Sequence, residues 1–171
     1  MTKDEMKKVV CQAIDKAAEK IHETVLRIES EPELGYKETK TSAKVESYMK
    51  ELGLTPQTGL ALTGVKTCVD GGKKGPAVAV LAELDAVGTP DSPKADPLTG
   101  AAHTCGHFLQ MASMLAACTG IVKSGVMRDL AGSAVFFAVP AEEYVEIDYR
   151  KRLVKEGKIH FLGGKSELVY E

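Results

Sequence analysis

The sequence contains no tryptophan, few aromatic residues and no long apolar run. Its longest apolar stretches, such as residues 77–82, are far shorter than the ~18 residues that a membrane-spanning helix requires. The charged N-terminus does not resemble a signal peptide. An excess of one charge is also missing, because 22 Lys and Arg against 24 Asp and Glu leave a net charge of −2. This balance predicts neither a nucleic-acid partner nor a membrane partner.

Cysteine is scarce, and the spacing of the four cysteines shows no pairing: they stand at positions 11, 68, 105 and 118. A small domain stapled by disulfides needs a denser and more regular framework. The 171 residues suit one domain of ordinary size. We therefore expect a reduced, globular domain of cytoplasmic location.

The hydrophobic pattern changes from a helical period to a strand period along the chain. Thr2 and Glu5 form the signature of a capping box, and Pro32 predicts the end of the first helix. The pattern then predicts a helix from about Thr41 to Gly53, strands at 65–69, 77–82 and 133–139, a polar loop at 86–102 and a helix at 106–123. Because residues 77–82 are apolar at odd and even positions alike, we expect that strand to be covered on both faces.

The order strand, loop, helix, strand predicts a right-handed crossover between two parallel strands. Ligands in open α/β sheets bind outside the carboxyl ends of the strands. Asp85 follows the first of these strands, and Glu142 and Glu143 follow the second. Cys105 and His107 stand at the entry to the intervening helix. The topology therefore predicts that all five residues meet at one edge of the sheet.

A thiol, an imidazole and several carboxylates at one edge are typical ligands of zinc or a similar divalent ion. We expect the positive end of the helix to favour Cys105 as a thiolate, which is the ligand form. Of two adjacent glutamates, one could bind the metal while the other accepts a proton from an activated water. Each residue alone would more commonly be structural, so the interpretation depends on their convergence.

Four segments resemble motifs of one enzyme family, in the order in which the family has them. Residues 28–35 read IESEPELG, residues 77–86 read AVAVLAELDA, residues 103–107 read HTCGH, and residues 132–143 read GSAVFFAVPAEE. They are similar to HxxPEL, to a strand ending in RADMDAL or GEYDAL, to HACGH and to GxVxFxxQPAEE. The sequence thus resembles the amidohydrolase branch of the aminoacylase and carboxypeptidase-G family of di-metal peptidases, peptidase family M20.

The resemblance implies an α/β fold, namely a three-layer α/β/α domain with a mixed, mainly parallel sheet as in zinc-peptidase catalytic domains. It implies that Cys105 is a metal-bridging thiolate and that His107 and Glu143 are ligands. Glu142 would be the general base, and Asp85 would orient the site. The implied cofactor is zinc or manganese, with cobalt as an alternative. Members of the family bind two ions, and we expect this chain to bind at most one. The implied reaction is hydrolysis of a small N-acyl amino acid, peptide or related amide by a metal-activated water.

The sequence departs from the family pattern in three respects. Phe108 replaces the Asp or Asn that usually follows the ligand histidine, and Gln110 stands where a second histidine is common. Family members are more than twice as long, so residues 1–171 would be the N-terminal portion of an incomplete catalytic domain. The lid or dimerisation domain and the C-terminal half would be absent. His160 comes too soon after Glu143 to match the next family histidine. We therefore expect the isolated chain to be inactive or weakly active.

Two other interpretations remain open at this stage. The chain could be a non-catalytic remnant or binding module with a vestigial metal site, which self-associates through the uncovered half of the domain. Alternatively, Cys105 could be a nucleophile activated by His103, if the loop folds back.

Overall fold

The computed structural model describes all 171 residues. The helices are α1 (Lys3–Glu29), α2 (Thr39–Glu51), α3 (His107–Ser124), α4 (Ile147–Lys155) and α5 (Gly164–Tyr170), with a 3-10 turn at Val126–Asp129. The strands are β1 (Gln57–Leu60), β2 (Gly64–Asp70), β3 (Lys73–Glu83), β4 (Val87–Gly88), β5 (Ala101–Ala102) and β6 (Ala131–Val139). None of the helices combines the length and the apolar composition that crossing a membrane requires.

The sequence signals at the helix ends are confirmed. The Thr2 hydroxyl accepts the Glu5 amide hydrogen while the Glu5 carboxylate accepts the Thr2 amide hydrogen, so the capping box begins α1. Helix α2 begins two residues earlier than predicted. The Glu33 carboxylate accepts the amide hydrogens of Lys40 and Thr41, which would otherwise be unpaired at the start of that helix.

The main sheet has four strands in the order β1-β2-β6-β3. Strands β3 and β6 are parallel, with Ala77 opposite Ser133 and Glu83 opposite Val139, whereas β2 runs antiparallel to β6 and β1 antiparallel to β2. Helix α3 lies between β3 and β6 in the chain, so the predicted parallel pairing of these two strands is confirmed and both strands end at the same edge. The architecture is a mixed α/β sheet, as the fold class predicts.

Helices α1, α2 and α3 bury one face of the sheet. Their apolar side chains form one cluster with the sheet residues Val65, Ala82, Phe136 and Ala138. The prediction that residues 77–82 are covered on both faces is wrong, because β3 is an edge strand whose Val78 and Leu81 are 62% and 51% exposed. An apolar pattern at both odd and even positions therefore does not establish that both faces of a strand are covered within these 171 residues.

Two fully buried charged side chains, Glu38 and Arg150, hold the turn that follows β6. Glu38 accepts the amide hydrogen of Ala141 at 2.7 Å and the Thr63 hydroxyl hydrogen at 2.7 Å. Ala141 needs such support, because its φ of +50° lies in a region that non-glycine residues rarely adopt. On the other side of the turn, Arg150 donates to the carbonyl oxygen of Glu143 and to that of Leu162.

We expect Gly35→Ala to destabilise the fold by about 1–3 kcal/mol, the usual cost of overpacking. A Cβ at Gly35 would overlap Arg150 Nη2 and lie 2.9 Å from the Cα of Ala141, so the turn would have to move. The measurement is the free energy of unfolding in urea. Gly88→Ala is the matched control, because a Cβ there meets nothing within 4 Å. Equal stability of the two variants would contradict this packing.

We also expect Glu38 to make the stability depend on pH. Burial raises the pKa of Glu38 from 4.5 to about 7, against the opposing effect of the hydrogen bonds from Thr63 and Ala141. The folded protein favours the protonated form of Glu38. The contribution of Glu38 to the free energy of unfolding is therefore complete below pH 4.5 and is lost as the pH rises to about 7. The free energy of unfolding should fall by up to roughly 3 kcal/mol over this range.

Urea unfolding at a series of pH values tests this expectation. Glu38→Gln keeps an oxygen acceptor for Ala141 and should flatten the pH profile, whereas Glu23→Gln, on the exposed side of α1, should leave the profile unchanged. A profile of Glu38→Gln as steep as that of the unsubstituted chain would contradict the assignment.

Candidate metal centre

The structure brings the five predicted site residues together at the shared edge of β3 and β6. Asp85 follows β3, Cys105 and His107 stand at the start of α3, and Glu142 and Glu143 follow β6. The ligand atoms of Cys105, His107 and Glu143 all lie within 4.8 Å of one another. The convergence on which the sequence argument depends is therefore present.

His107 is buried, and Asp85 fixes the orientation of its ring. His107 Nδ1 donates to the carbonyl oxygen of Asp85 at 2.9 Å, and since a carbonyl can only accept, the hydrogen is on Nδ1. This leaves Nε2 facing the carboxylates, 3.8 Å from Glu142 and 3.8 Å from Glu143. Neutral His107 therefore offers Nε2 as a metal ligand.

The same contact compensates for the departure from the family pattern at position 108. Phe108 cannot accept a hydrogen bond from His107, but the Asp85 carbonyl takes that role from the end of β3. The Phe108 ring packs instead against His103, with the ring centroids 5.7 Å apart.

Asp85 also fixes Glu143 and keeps one oxygen unpaired. Its Oδ2 accepts the amide hydrogen of Glu143 at 2.9 Å. Its Oδ1 is buried without a hydrogen-bond partner and lies 3.4 Å from His107 Nδ1. A buried, unpaired carboxylate oxygen is costly, so this edge has negative charge in excess of what its own hydrogen bonds satisfy. That excess fits a bound cation.

The pKa values of two candidate ligands reflect this negative charge. Burial opposes the charge on His107, yet hydrogen bonding to Asp85 and the charges of Asp85 and Glu83 raise the pKa of His107 to about 9. Hydrogen bonding to Glu143, burial and the neighbouring carboxylates raise the pKa of Cys105 to about 11. We expected the positive end of the helix to favour Cys105 as a thiolate, but the neighbouring carboxylates outweigh that effect. A cation among these carboxylates would favour the thiolate form of Cys105.

Two further residues lie at this edge, Glu83 and Lys165, which the sequence motifs did not predict as site residues. Glu83 Oε2 lies 3.1 Å from His107 Nε2, and Glu83, His107 and Glu142 form a second group whose ligand atoms are within 4.8 Å of one another. Lys165, from α5, contacts Glu83 and lies 3.6 Å from Glu142 Oε1. Glu83 stands two residues before Asp85 and so could have been found from strand alternation. No sequence signal points to Lys165.

The other two histidines that the sequence raised lie outside these groups. Both ring nitrogens of His103 are buried without a hydrogen-bond partner, and burial lowers its pKa to about 4. His103 therefore does not pair with Cys105, which argues against the nucleophile interpretation. His160 is half exposed, with its Nδ1 3.0 Å from Glu167, and is stacked on Tyr170.

No protein-family model matches the chain, but curated proteins do. The amidohydrolase YhaA of Bacillus subtilis is 31% identical over 142 residues, which are 81% of this chain and 35% of that protein. An N-acetylcysteine deacetylase of the same species is 30% identical over 119 residues, 66% of this chain and 30% of the relative. The chain thus spans about a third of the length of these relatives.

A solved structure shows the same fold. A Bacillus subtilis protein described as a dinuclear metal-binding peptidase from the M20 family superposes with a TM-score of 0.64 at 24% identity, over 81% of this chain and 39% of that one. The predicted fold class is therefore confirmed, for part of a catalytic domain. The chain is thus similar in sequence to amidohydrolases and deacetylases and similar in fold to a peptidase of the M20 family, over about a third of their length.

Proposed function

We propose that this chain provides the metal-binding part of an M20-type amidohydrolase that cleaves a small N-acyl amino acid, peptide or related amide. Residues 1–171 would be the N-terminal portion of the catalytic domain. The observation that carries the proposal is the approach of Cys105 Sγ, His107 Nε2 and a Glu143 oxygen to within 4.8 Å of one another. The names of the relatives, an amidohydrolase and an N-acetylcysteine deacetylase, support the substrate class.

The ligand set combines a soft thiolate with a hard carboxylate, which suits a divalent ion of intermediate softness. We therefore favour zinc or manganese, with cobalt as an alternative. Cys105, His107 and Glu143 supply three ligands and leave a position for water. Once bound, a divalent ion would acidify that water and polarise the amide carbonyl. Asp85 fixes the positions of two ligands. Its carbonyl oxygen accepts a hydrogen bond from the His107 ring, and its Oδ2 accepts one from the Glu143 amide.

The position of Glu142 supports its role as the general base. Its carboxylate lies 3.8 Å from His107 Nε2, beside the ligand group, and its side chain is 36% exposed. A water at the ligand group and a substrate from solvent can therefore both reach it. Glu142 would accept the proton of the attacking water and pass it to the leaving amine.

The alternative is a binding module that keeps the metal group without turnover. The exposure of Val78 and Leu81 on β3 favours it, because an uncovered apolar edge strand is typical of an interface. Metal binding that is accompanied by self-association and by no hydrolysis would support this alternative.

We expect Cys105→Ser to weaken metal binding by at least about a hundredfold, because it replaces a thiolate ligand with a hydroxyl. Cobalt(II) is a suitable probe, since a thiolate ligand gives it a charge-transfer absorption in the near ultraviolet. The band should be lost in Cys105→Ser and kept in Cys11→Ser, whose thiol is exposed on α1. An unchanged band in Cys105→Ser would exclude Cys105 as a ligand.

We expect Glu142→Gln to lower any amide hydrolysis by about 10²–10⁴-fold while leaving the metal affinity within a few-fold, as the loss of a general base does. The measurement is release of free amine from N-acetyl amino acids with zinc or manganese, beside a binding titration. Glu156→Gln is the control, because Glu156 pairs only with Lys158 on the surface. If Glu142→Gln stays as active as Glu156→Gln, Glu142 is not the base.

A further inference from the structure

Lys165 is held beside the candidate metal centre by close packing between α5 and the turn after β6. The amide of Gly164, the first residue of α5, donates to the carbonyl oxygen of Ala141 at 3.1 Å. A Cβ at Gly164 would overlap the carbonyl oxygen of Pro140, so only glycine permits this approach. The next residue, Lys165, is thereby placed over the site, although it belongs to a helix far from the motifs in sequence.

The Lys165 ammonium contacts two carboxylates that could otherwise bind a metal. Its Nζ donates to Glu83 Oε1 and lies 3.6 Å from Glu142 Oε1. Together with His107 these two glutamates form the second candidate metal group, distinct from the group of Cys105 and Glu143. Two carboxylates this close repel each other unless a cation lies between them, and Lys165 provides that cation.

His107 cannot serve both groups at once. Its Nδ1 hydrogen is engaged by the Asp85 carbonyl, so only Nε2 is available, and one nitrogen lone pair binds one ion. If Nε2 joins Cys105 and Glu143, the second group is left with Glu83 and Glu142 alone. A divalent ion would have to displace the ammonium from those two carboxylates.

We propose that the ammonium of Lys165 takes the place of a second metal ion, so that the centre binds one divalent ion per chain. The inference rests on the proposed function, since it takes Cys105, His107 and Glu143 as the site of the first ion. It also gives Lys165 a specific task, which is to neutralise Glu83 and to hold Glu142 beside the first ion.

Cobalt(II) binding to the purified chain tests this inference with two readouts. Equilibrium dialysis counts the bound ions, and the charge-transfer absorption reports the thiolate ligand of the first ion alone. The unsubstituted chain should bind one ion that produces the absorption. Lys165→Met should bind the same ion and a second one without added absorption, with the dissociation constant of the second ion lowered at least about tenfold.

Three further variants assign the effect to the charge at this position. Lys165→Arg keeps the charge and should still bind one ion. Lys151→Met removes a lysine that pairs with Asp148 on the surface and should also bind one. Lys165→Met combined with Glu83→Gln should return to one ion, because the second group has lost a carboxylate. The side chain of Lys165 is half exposed, so we expect all variants to fold, which circular dichroism verifies.

The outcomes separate the two proposals. Any of three results would overturn the role of Lys165 while leaving the proposed function intact. These are two bound ions in the unsubstituted chain, one bound ion in Lys165→Met, or two bound ions in Lys165→Arg. Failure of the unsubstituted chain to bind an ion with thiolate absorption would overturn the proposed function itself.

Discussion

The arrangement of the site depends on one buried residue, Asp85, which joins three separate parts of the chain. It follows β3, its carbonyl oxygen accepts the Nδ1 hydrogen of His107 at the start of α3, and its Oδ2 accepts the amide hydrogen of Glu143 after β6. Because Asp85 and His107 are both buried, the contact between them is not easily exchanged for solvent. Asp85 thereby sets the tautomer of one candidate ligand and the backbone position of another.

The backbone after β6 is held from the opposite direction by groups that never reach the site. Glu38 accepts from the amide of Ala141, and Arg150 donates to the carbonyl of Glu143, so the residues before and after Glu142 both have their backbone held. Burying two charged side chains is expensive, and here their hydrogen bonds go to backbone atoms of a turn with positive φ. The cost is consistent with a turn whose geometry matters for chemistry.

The sequence predicts the elements and the edge at which they meet, and it fails where the outcome depends on the balance of charges. The capping box at Thr2, the crossover from β3 to β6 and the meeting of Cys105 with Glu143 follow from periodicity and topology alone. The protonation of Cys105 does not, because it is decided by carboxylates from two other strand ends. Lys165 could not be predicted for a different reason, since its position depends on how closely α5 approaches Pro140.

The exposed edge of β3 does not weaken the site that its end supports. The residues that continue β3 are tied inward: the Leu84 amide donates to the Val139 carbonyl at 2.9 Å, and the Ala86 amide donates to the Glu33 carbonyl at 2.8 Å. The Glu33 carboxylate in turn receives the first amides of α2, which anchors that contact to a helix. Asp85 is thus fixed by β6 on one side and by the residues before α2 on the other. The His107 ring and the backbone of Glu143 are therefore preorganised by contacts within these 171 residues.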